Sequence, residues 1–312
     1  MKKNIYFQIV LISIVFTCFS CKARLETNKK SLNLLVVGDW GWENSVGQKD
    51  NANIMKKMAD STQIDFIIST GDNFYYDGVQ STTDIKWAER FESIYNGSLL
   101  SKNWYVTLGN HDYQGNVEAQ LTYKGVNDRW KLPARYYSFE RKINDFSDET
   151  ALFVFLDTSP FDKTLHTSNA HPQIRLQDTT AQKKWLENTL ATSKARWKMV
   201  FGHHPLYTAG SRKNQMGDII TVLKPIFDKY QIDFYISGHE HHLGHLKPDN
   251  NNTDYIISGA GGATITPVTP YNISRYSNSI YGFTNLNVEL DRIKIDFISG
   301  KGEKLYQFIK SK

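Results

Sequence analysis

The sequence has very little cysteine, and what it has lies near one end. Its two cysteines are Cys18 and Cys21, and none follows. This excludes a disulfide framework for the bulk of the chain. A strong charge imbalance is also absent, because 37 basic and 32 acidic residues are interspersed along the chain. We therefore expect no nucleic-acid partner and no polybasic membrane patch.

Long apolar runs are absent except at the N-terminus. There, lysines precede an apolar run at residues 5–16, and small residues then lead to Cys21. This order is typical of a secretory signal, and the run is too short to span a membrane comfortably. The segment before Cys21 also resembles a bacterial lipobox, with Cys18 where leucine is usual. We predict a signal peptide at residues 1–20, a tether at 21–31 and a folded domain at 32–312.

The lipobox resemblance implies how the protein is located. With a lipid on Cys21, it would be an exported lipoprotein of the periplasm or the cell surface. That lipid would be its only membrane attachment, and plain secretion is the alternative. We also expect a monomer.

Beyond residue 31, short apolar runs alternate with amphipathic segments. The runs are rich in Val, Ile, Phe and Tyr, which favours buried strands. They lie at 32–37, 64–69, 104–108, 152–156, 197–201, 232–236 and 255–258, with an antiparallel pair at 283–290 and 292–299. Helical patterns lie at 51–59, at 84–95 and after a capping box at Thr179–Gln182. The alternation predicts an α/β architecture with a mixed sheet.

Five of these runs end in the same way, with glycine followed by a side chain that can bind a metal. The motifs are GDWG at 38–41, GDNFY at 71–75, GNHD at 109–112, GHHP at 202–205 and GHEH at 238–241. Ligand sites of α/β sheets collect beyond the carboxyl ends of strands, so the motifs should converge on one crevice. Their side chains are ligands of first-row transition metals.

Each of these residues has an ordinary structural alternative when taken alone. Asp39 and Asp72 could cap helices, and Asn110 could serve a turn. Tyr75 and His203 could be buried core residues. Five such side chains at five strand ends are better explained by a metal site.

The number of candidate ligands fits two metals better than one. A single catalytic zinc takes about three protein ligands, whereas two Asp, one Asn, one Tyr and three His are available here. Paired ions need a carboxylate that bridges them, and Asp72 is our candidate. Such a pair suits hydrolysis of a phosphoester by a metal-bound hydroxide, with both ions holding the phosphoryl oxygens.

The five motifs resemble those of the calcineurin-like metallophosphoesterases, and most of all those of the purple acid phosphatases of the small tartrate-resistant type. GDNFYYDGVQ from residue 71, NWYVTLGNHDYQGNVEAQLTY from 103 and RWKLPARYYSF from 129 extend the similarity. The resemblance implies a four-layer α/β/β/α sandwich of two mixed sheets with flanking helices. It also implies an acid phosphatase whose substrates are small phosphate monoesters.

The resemblance also implies a role for each motif residue. The first metal would be held by Asp39, Tyr75 and His241, the second by Asn110, His203 and His239, with Asp72 as the bridge. The first metal would be Fe³⁺, and the second Fe²⁺, Zn²⁺ or Mn²⁺. A phenolate is a hard anionic donor, which agrees with a trivalent ion beside Tyr75.

Substrate contacts follow from the same resemblance. His111 would contact the phosphoryl group together with Asn110 and protonate the leaving alcohol, with Asp112 supporting it. Arg212 falls near the place of the family's second substrate-facing histidine. An arginine binds phosphate but supplies no proton, so this position departs from the family pattern.

The remaining histidines lie outside the ligand set. We expect His204, His242 and His245 on a solvated rim. The segment at 160–178, which contains His166 and His171, is expected to form a loop over the site.

Two other functions stay open at this point. One is a phosphodiesterase or nucleotidase of the same superfamily. The other is a non-catalytic lipoprotein that captures phosphate or metal, which would not need His111 beside the metals.

Overall fold

A computed structural model of the protein describes residues 29–312, so the predicted signal peptide and Cys21 lie outside the described residues. The described chain contains two seven-stranded sheets. The strands are β1 Leu32–Val37, β2 Phe66–Ser69, β3 Asn103–Val106, β4 Trp130–Lys131, β5 Tyr137–Lys142, β6 Thr150–Phe155, β7 Trp197–Phe201, β8 Phe234–Ser237, β9 Leu243–Leu246, β10 Asp254–Ser258, β11 Ser274–Asn278, β12 Gly282–Val288, β13 Arg292–Ser299 and β14 Lys304–Ser311. The α-helices are α1 Val46–Ser61, α2 Val117–Thr122, α3 Thr179–Thr192 and α4 Gly217–Tyr230.

Both sheets are mixed. The first has the order β14-β13-β12-β1-β2-β3-β4, in which β1 to β4 run parallel and β12 pairs antiparallel with β1. The second has the order β11-β9-β10-β8-β7-β6-β5, with β6, β7, β8 and β10 parallel. The predicted architecture of two mixed sheets with flanking helices is confirmed.

The apolar runs are continuous because their strands are buried on both faces. In β6, Phe153 points into the core between the sheets, where its ring lies 5.3 Å from that of Phe66 in β2. Its neighbours Leu152 and Val154 point the other way, into a second core formed with α3 and α4. On the far side, α1 contacts β12 of the first sheet and buries Met55. Helices therefore cover the outer faces of both sheets.

Helix ends differ from the predicted ones in ways that have local causes. Helix α1 begins before residue 51, because the Ser45 side chain accepts a hydrogen bond from the Gln48 N–H and caps the helix. Helix α3 is capped by Asp178 rather than by Thr179. Gln182, predicted as part of a capping box, instead exchanges hydrogen bonds with the backbone of Asp157.

The helix predicted at 84–95 is present in shortened form, because the chain is helical over residues 85–92. Its main part, Trp87–Glu92, is a π-helix rather than an α-helix, with the Ser93 N–H donating to the Ala88 carbonyl. The wider turn lets Trp87 and Phe91 both bury their rings in the aromatic core. Within residues 29–312, no helix combines the length and apolar character that a membrane span requires.

Candidate metal centre

The predicted ligands follow the carboxyl ends of strands from both sheets, and the structure brings all seven together. Asp39 follows β1, Asp72 and Tyr75 follow β2, Asn110 follows β3, His203 follows β7, and His239 and His241 follow β8. Backbone hydrogen bonds hold these ends side by side. The Asp39 N–H donates to the Gly71 carbonyl at 3.0 Å, and the Gly238 N–H donates to the His203 carbonyl at 2.9 Å.

Glycine precedes the ligands because the loops approach one another too closely for a side chain. A Cβ on Gly109 would overlap the Asp72 carboxylate, and one on Gly238 would overlap the Asp39 carboxylate. Asp39, Asp72 and His239 also have φ values of 57°, 48° and 67°. Such left-handed backbone is uncommon for residues other than glycine and tends to occur at functional sites.

The first group of ligand atoms is centred on the Tyr75 hydroxyl. Its oxygen lies 3.0 Å from Asp39 Oδ1, 3.1 Å from Asp72 Oδ2 and 3.1 Å from His241 Nε2. His241 Nδ1 lies 2.7 Å from the Thr264 carbonyl oxygen. Because that oxygen only accepts, Nδ1 carries the proton and leaves the Nε2 lone pair facing the group.

The second group surrounds the Asn110 side-chain oxygen. That oxygen lies 3.2 Å from His203 Nε2 and 3.0 Å from His239 Nδ1. His203 Nε2 is also 3.2 Å from Asp72 Oδ2, the same oxygen that belongs to the first group. His203 Nδ1 lies 2.9 Å from the Thr70 carbonyl oxygen, which again directs the Nε2 lone pair inward.

These separations suit coordination of two metal ions. Ligands bound at about 2.1 Å in tetrahedral or octahedral geometry lie about 3.0–3.4 Å from one another. The distances in both groups fall in or close to this range. One oxygen, Asp72 Oδ2, is common to both groups, as a bridging carboxylate would be.

The electrostatics of the centre also fit bound cations. Burial raises the pKa of Asp39 and of Tyr75 well above their usual values, with the neighbouring carboxylates adding to the effect. Burial would raise the pKa of Asp72 too, but the charges of His203 and His111 hold it well below its usual value. Burial disfavours the charged form of His203, and Asp72 outweighs it to give a pKa of about 9. This concentration of buried acidic groups would be compensated by metal cations.

His111 lies beside the first group. Its ring centroid is 4.5 Å from that of Tyr75, and its Nδ1 is 2.7 Å from the Tyr76 carbonyl oxygen. That contact places a proton on Nδ1 and leaves Nε2 available. Tyr76 is 59% exposed, and its ring meets the Trp42 ring edge to face with the centroids 4.5 Å apart, so these two rings form an aromatic rim next to His111.

The Asp112 carboxylate makes its hydrogen bonds with groups other than the His111 ring, so its predicted support of that imidazole stays a prediction. Its buried carboxylate accepts hydrogen bonds from the Asn73 N–H and side chain, from the Gly109 N–H and from Gln120. It therefore ties the loop after β2 to the loop after β3 and positions the ligands on both.

Arg212 reaches the centre from the outside. Its guanidinium donates to the His239 carbonyl at 2.9 Å, and its side chain is 33% exposed. Its backbone N–H donates to the buried carboxylate of Glu240 at 2.9 Å. The side chain thus lies beside the second group with part of its donor set still open to solvent.

The prediction that the extra histidines lie on a solvated rim is wrong. His204, His242 and His245 are buried, at 0%, 0% and 1% exposure. His245 is held by the Asp254 carboxylate, at the start of β10, and by the Tyr306 hydroxyl. In the loop at 160–178, His171 is buried. Burial and, after it, the charge of His111 lower the pKa of His171, so this loop lies near His111.

Sequence reasoning missed the groups that orient the ligands. The carbonyls of Thr70, Thr264 and Tyr76 act through their backbone, so no side-chain motif reveals them. Asn73 lies inside the GDNFY motif, so it could have been chosen as a site residue, and it links Ser69 to Asp112 through hydrogen bonds. No feature of the sequence predicts the position of Trp42 beside Tyr76.

Comparison with known proteins agrees with this fold and site. Residues 32–243 match the model of the family described as calcineurin-like phosphoesterase. Purple acid phosphatase 7 of Arabidopsis thaliana is 31% identical over 332 residues, which cover 100% of this chain and 98% of that protein. Tartrate-resistant acid phosphatase type 5 of Homo sapiens is 31% identical, covering 89% of this chain and 90% of its own.

A solved structure is similar over nearly its whole length. GAP50, described as the anchor in the inner membrane complex of Plasmodium, superposes with a TM-score of 0.78 at 26% identity. The alignment covers 91% of this chain and 89% of that one.

The fold and the donor set are those of a metallophosphoesterase. The chain belongs to the calcineurin-like phosphoesterase family, and within it to the purple acid phosphatases. The predicted family, and with it the predicted phosphoesterase class of hydrolase, is confirmed.

Proposed function

We propose that the protein is a dinuclear-metal acid phosphatase that hydrolyses small phosphate monoesters. The observation that carries the proposal is the sharing of Asp72 Oδ2 by two groups of ligand atoms. A site for one metal would not require a second complete set of donors around the same carboxylate oxygen. The names of the relatives, which are acid phosphatases, support the same activity.

The residues present fit Fe³⁺ in the first group and Fe²⁺, Zn²⁺ or Mn²⁺ in the second. Tyr75, Asp39 and His241 would hold the first ion, and Asn110, His203 and His239 the second, with Asp72 between them. When bound, the two ions would activate water and neutralise phosphoryl charge. The Tyr75 phenol is buried beside two carboxylates, so it would ionise only with a strong cation in contact.

The chain's own residues would complete the reaction. His111 is fixed through Nδ1 to the Tyr76 carbonyl, and its ring lies 6.3 Å from that of Tyr76, so Nε2 would be available to a leaving group bound beside the aromatic rim. When that nitrogen carries a proton, it can pass it to the departing alcohol oxygen. Asn110 and Arg212 would hold phosphoryl oxygens, and a bidentate guanidinium contact would favour a dianionic monoester over a monoanionic diester.

The location and partners are part of the proposal. The charged, apolar and small-residue order before Cys21 supports export, with a lipid on that cysteine or plain secretion. A monomer acting on small soluble esters, without nucleic acid, agrees with the balanced charge of the chain.

Two alternatives have different expected behaviour. A phosphodiesterase or nucleotidase would use the same metal ligands but prefer another ester. A non-catalytic role has one observation in its favour, the likeness to GAP50, which is described as an anchor. Such a protein would bind its partner or ligand equally well without His111.

The test is the steady-state hydrolysis of 4-nitrophenyl phosphate and bis(4-nitrophenyl) phosphate by metal-loaded protein. The proposal expects the monoester to have the higher kcat/KM, and His111→Ala to lose most of that activity while keeping both metals. A preference for the diester would favour the phosphodiesterase alternative. Absence of hydrolysis of either ester, with two metals bound, would favour the non-catalytic one.

A further inference from the structure

His204 is buried beside the second group of ligands and is not used by the function proposed above. Its ring centroid lies 4.4 Å from that of His239 and 4.9 Å from that of His203. A ring nitrogen of each of the three lies within 4.8 Å of one belonging to the others. Position alone would therefore allow His204 to be either a further metal ligand or a hydrogen-bond donor.

The hydrogen bonds of Thr158 decide which nitrogen of His204 carries the proton. The backbone N–H groups of His203 and His204 donate to Thr158 Oγ1 at 3.1 and 3.0 Å. A hydroxyl oxygen has two lone pairs, so both are occupied. The Thr158 hydroxyl must therefore donate its own proton to His204 Nδ1, which lies 2.9 Å from Oγ1. His204 Nδ1 accepts this bond, and the neutral ring must carry its proton on Nε2.

This tautomer makes Nε2 a donor, and the donor has no acceptor among residues 29–312. Nε2 is buried and without a hydrogen-bond partner there. Because its lone pair is used by the proton, it cannot coordinate a metal in this state. A buried donor without an acceptor is unfavourable, so its retention points to an acceptor that arrives with a ligand.

We propose that His204 Nε2 donates a hydrogen bond to a phosphoryl oxygen of the substrate or product phosphate bound beside the second metal position. This inference rests on the proposed function, because it places a phosphoryl group at that centre. A neutral donor of fixed tautomer would bind the oxygen without exchanging a proton. It would act as a substrate-binding residue next to Arg212, at a position that precedes the proline of GHHP.

The test measures binding of inorganic phosphate to zinc-loaded protein by titration calorimetry, with metal content determined for each sample. His204→Phe keeps a buried planar ring and removes the donor, and we expect phosphate affinity to fall about tenfold or more with both metals retained. His204→Gln restores an N–H donor and should recover part of the loss. Unchanged phosphate affinity in His204→Phe would overturn the inference, as would a loss explained entirely by lost metal.

A second measurement needs no substitution. In histidine-labelled, zinc-loaded protein, ¹⁵N NMR should show His204 as the Nε2–H tautomer, and its Nε2–H resonance should shift when phosphate is added. The opposite tautomer, or a resonance that phosphate leaves unmoved, would contradict the inference. If the unmodified protein hydrolyses monoesters while His204→Phe binds phosphate normally, only this inference fails. If the unmodified protein neither hydrolyses monoesters nor binds phosphate, the proposed function fails with it.

Discussion

Replacing Asp112 with asparagine should weaken both the fold and the metal centre. The carboxylate accepts from the Asn73 N–H at 3.1 Å, the Asn73 side chain at 3.0 Å, the Gly109 N–H at 2.8 Å and Gln120 at 2.9 Å. An asparagine keeps one acceptor oxygen and turns the other into a donor. In the better of its two orientations, its NH₂ group takes the place of Oδ1, so the Gln120 NH₂ and the new NH₂ face each other without an acceptor. At about 1–3 kcal/mol for each of these two buried donors, we expect a loss of about 2–6 kcal/mol in the free energy of unfolding.

The assay is equilibrium unfolding in urea at neutral pH, with metal content measured in parallel. The Asp112→Asn protein should also bind metal more weakly, because Gly109 precedes Asn110 and Asn73 follows Asp72. Asp148→Asn is the matched control, since Asp148 is exposed and its ion pair with Lys142 should contribute almost nothing. A stability of Asp112→Asn equal to that of the control, with metal affinity unchanged, would refute the role assigned to this carboxylate.

Three further predictions concern chemistry, pH and metal. His111→Ala should lower kcat for phosphate monoesters about 100-fold or more, measured by steady-state kinetics, without changing metal content. Burial raises the pKa of Asp157 from 3.8 to about 7, so the folded state binds its proton more tightly than the unfolded state does. Stability should therefore fall by up to about 4 kcal/mol as pH rises from about 4 to 7, and urea unfolding of Asp157→Asn should lack this component. Removing metal with a chelator should lower the melting temperature of the unmodified protein, measured by calorimetry. The same treatment should lower the melting temperature of Asp39→Asn by less.

The sequence predicted the central strands well because those strands are buried on both faces. The runs at 32–37, 197–201 and 292–299 coincide with β1, β7 and β13. The strands that were not predicted are short or lie at sheet edges, where polar residues interrupt the apolar pattern. β5 at Tyr137–Lys142 is half exposed, and β4 has only two residues. Strand pairing defines such elements, and pairing is not visible in a local pattern.

The position of the candidate site could be predicted because each ligand loop has the same local pattern, an apolar run followed by glycine and a metal-binding side chain. The surroundings could not be predicted in the same way. His204 was expected in solvent, yet it is buried against residues that follow β6, nearly fifty positions away. Asp112 looked like a partner of its neighbour His111, but its bonds go to loops that only the folded sheet brings together. Contacts between distant segments decide both cases.

The proposed function places Tyr75 on ferric iron in a dinuclear centre. The most direct measurement is the visible absorption spectrum of the aerobically purified protein, with elemental analysis of the same sample, compared with that of Tyr75→Phe. We predict two metals per chain and a broad visible band that Tyr75→Phe loses. A colourless protein with one metal or none, or a band that survives the substitution, would contradict the claim.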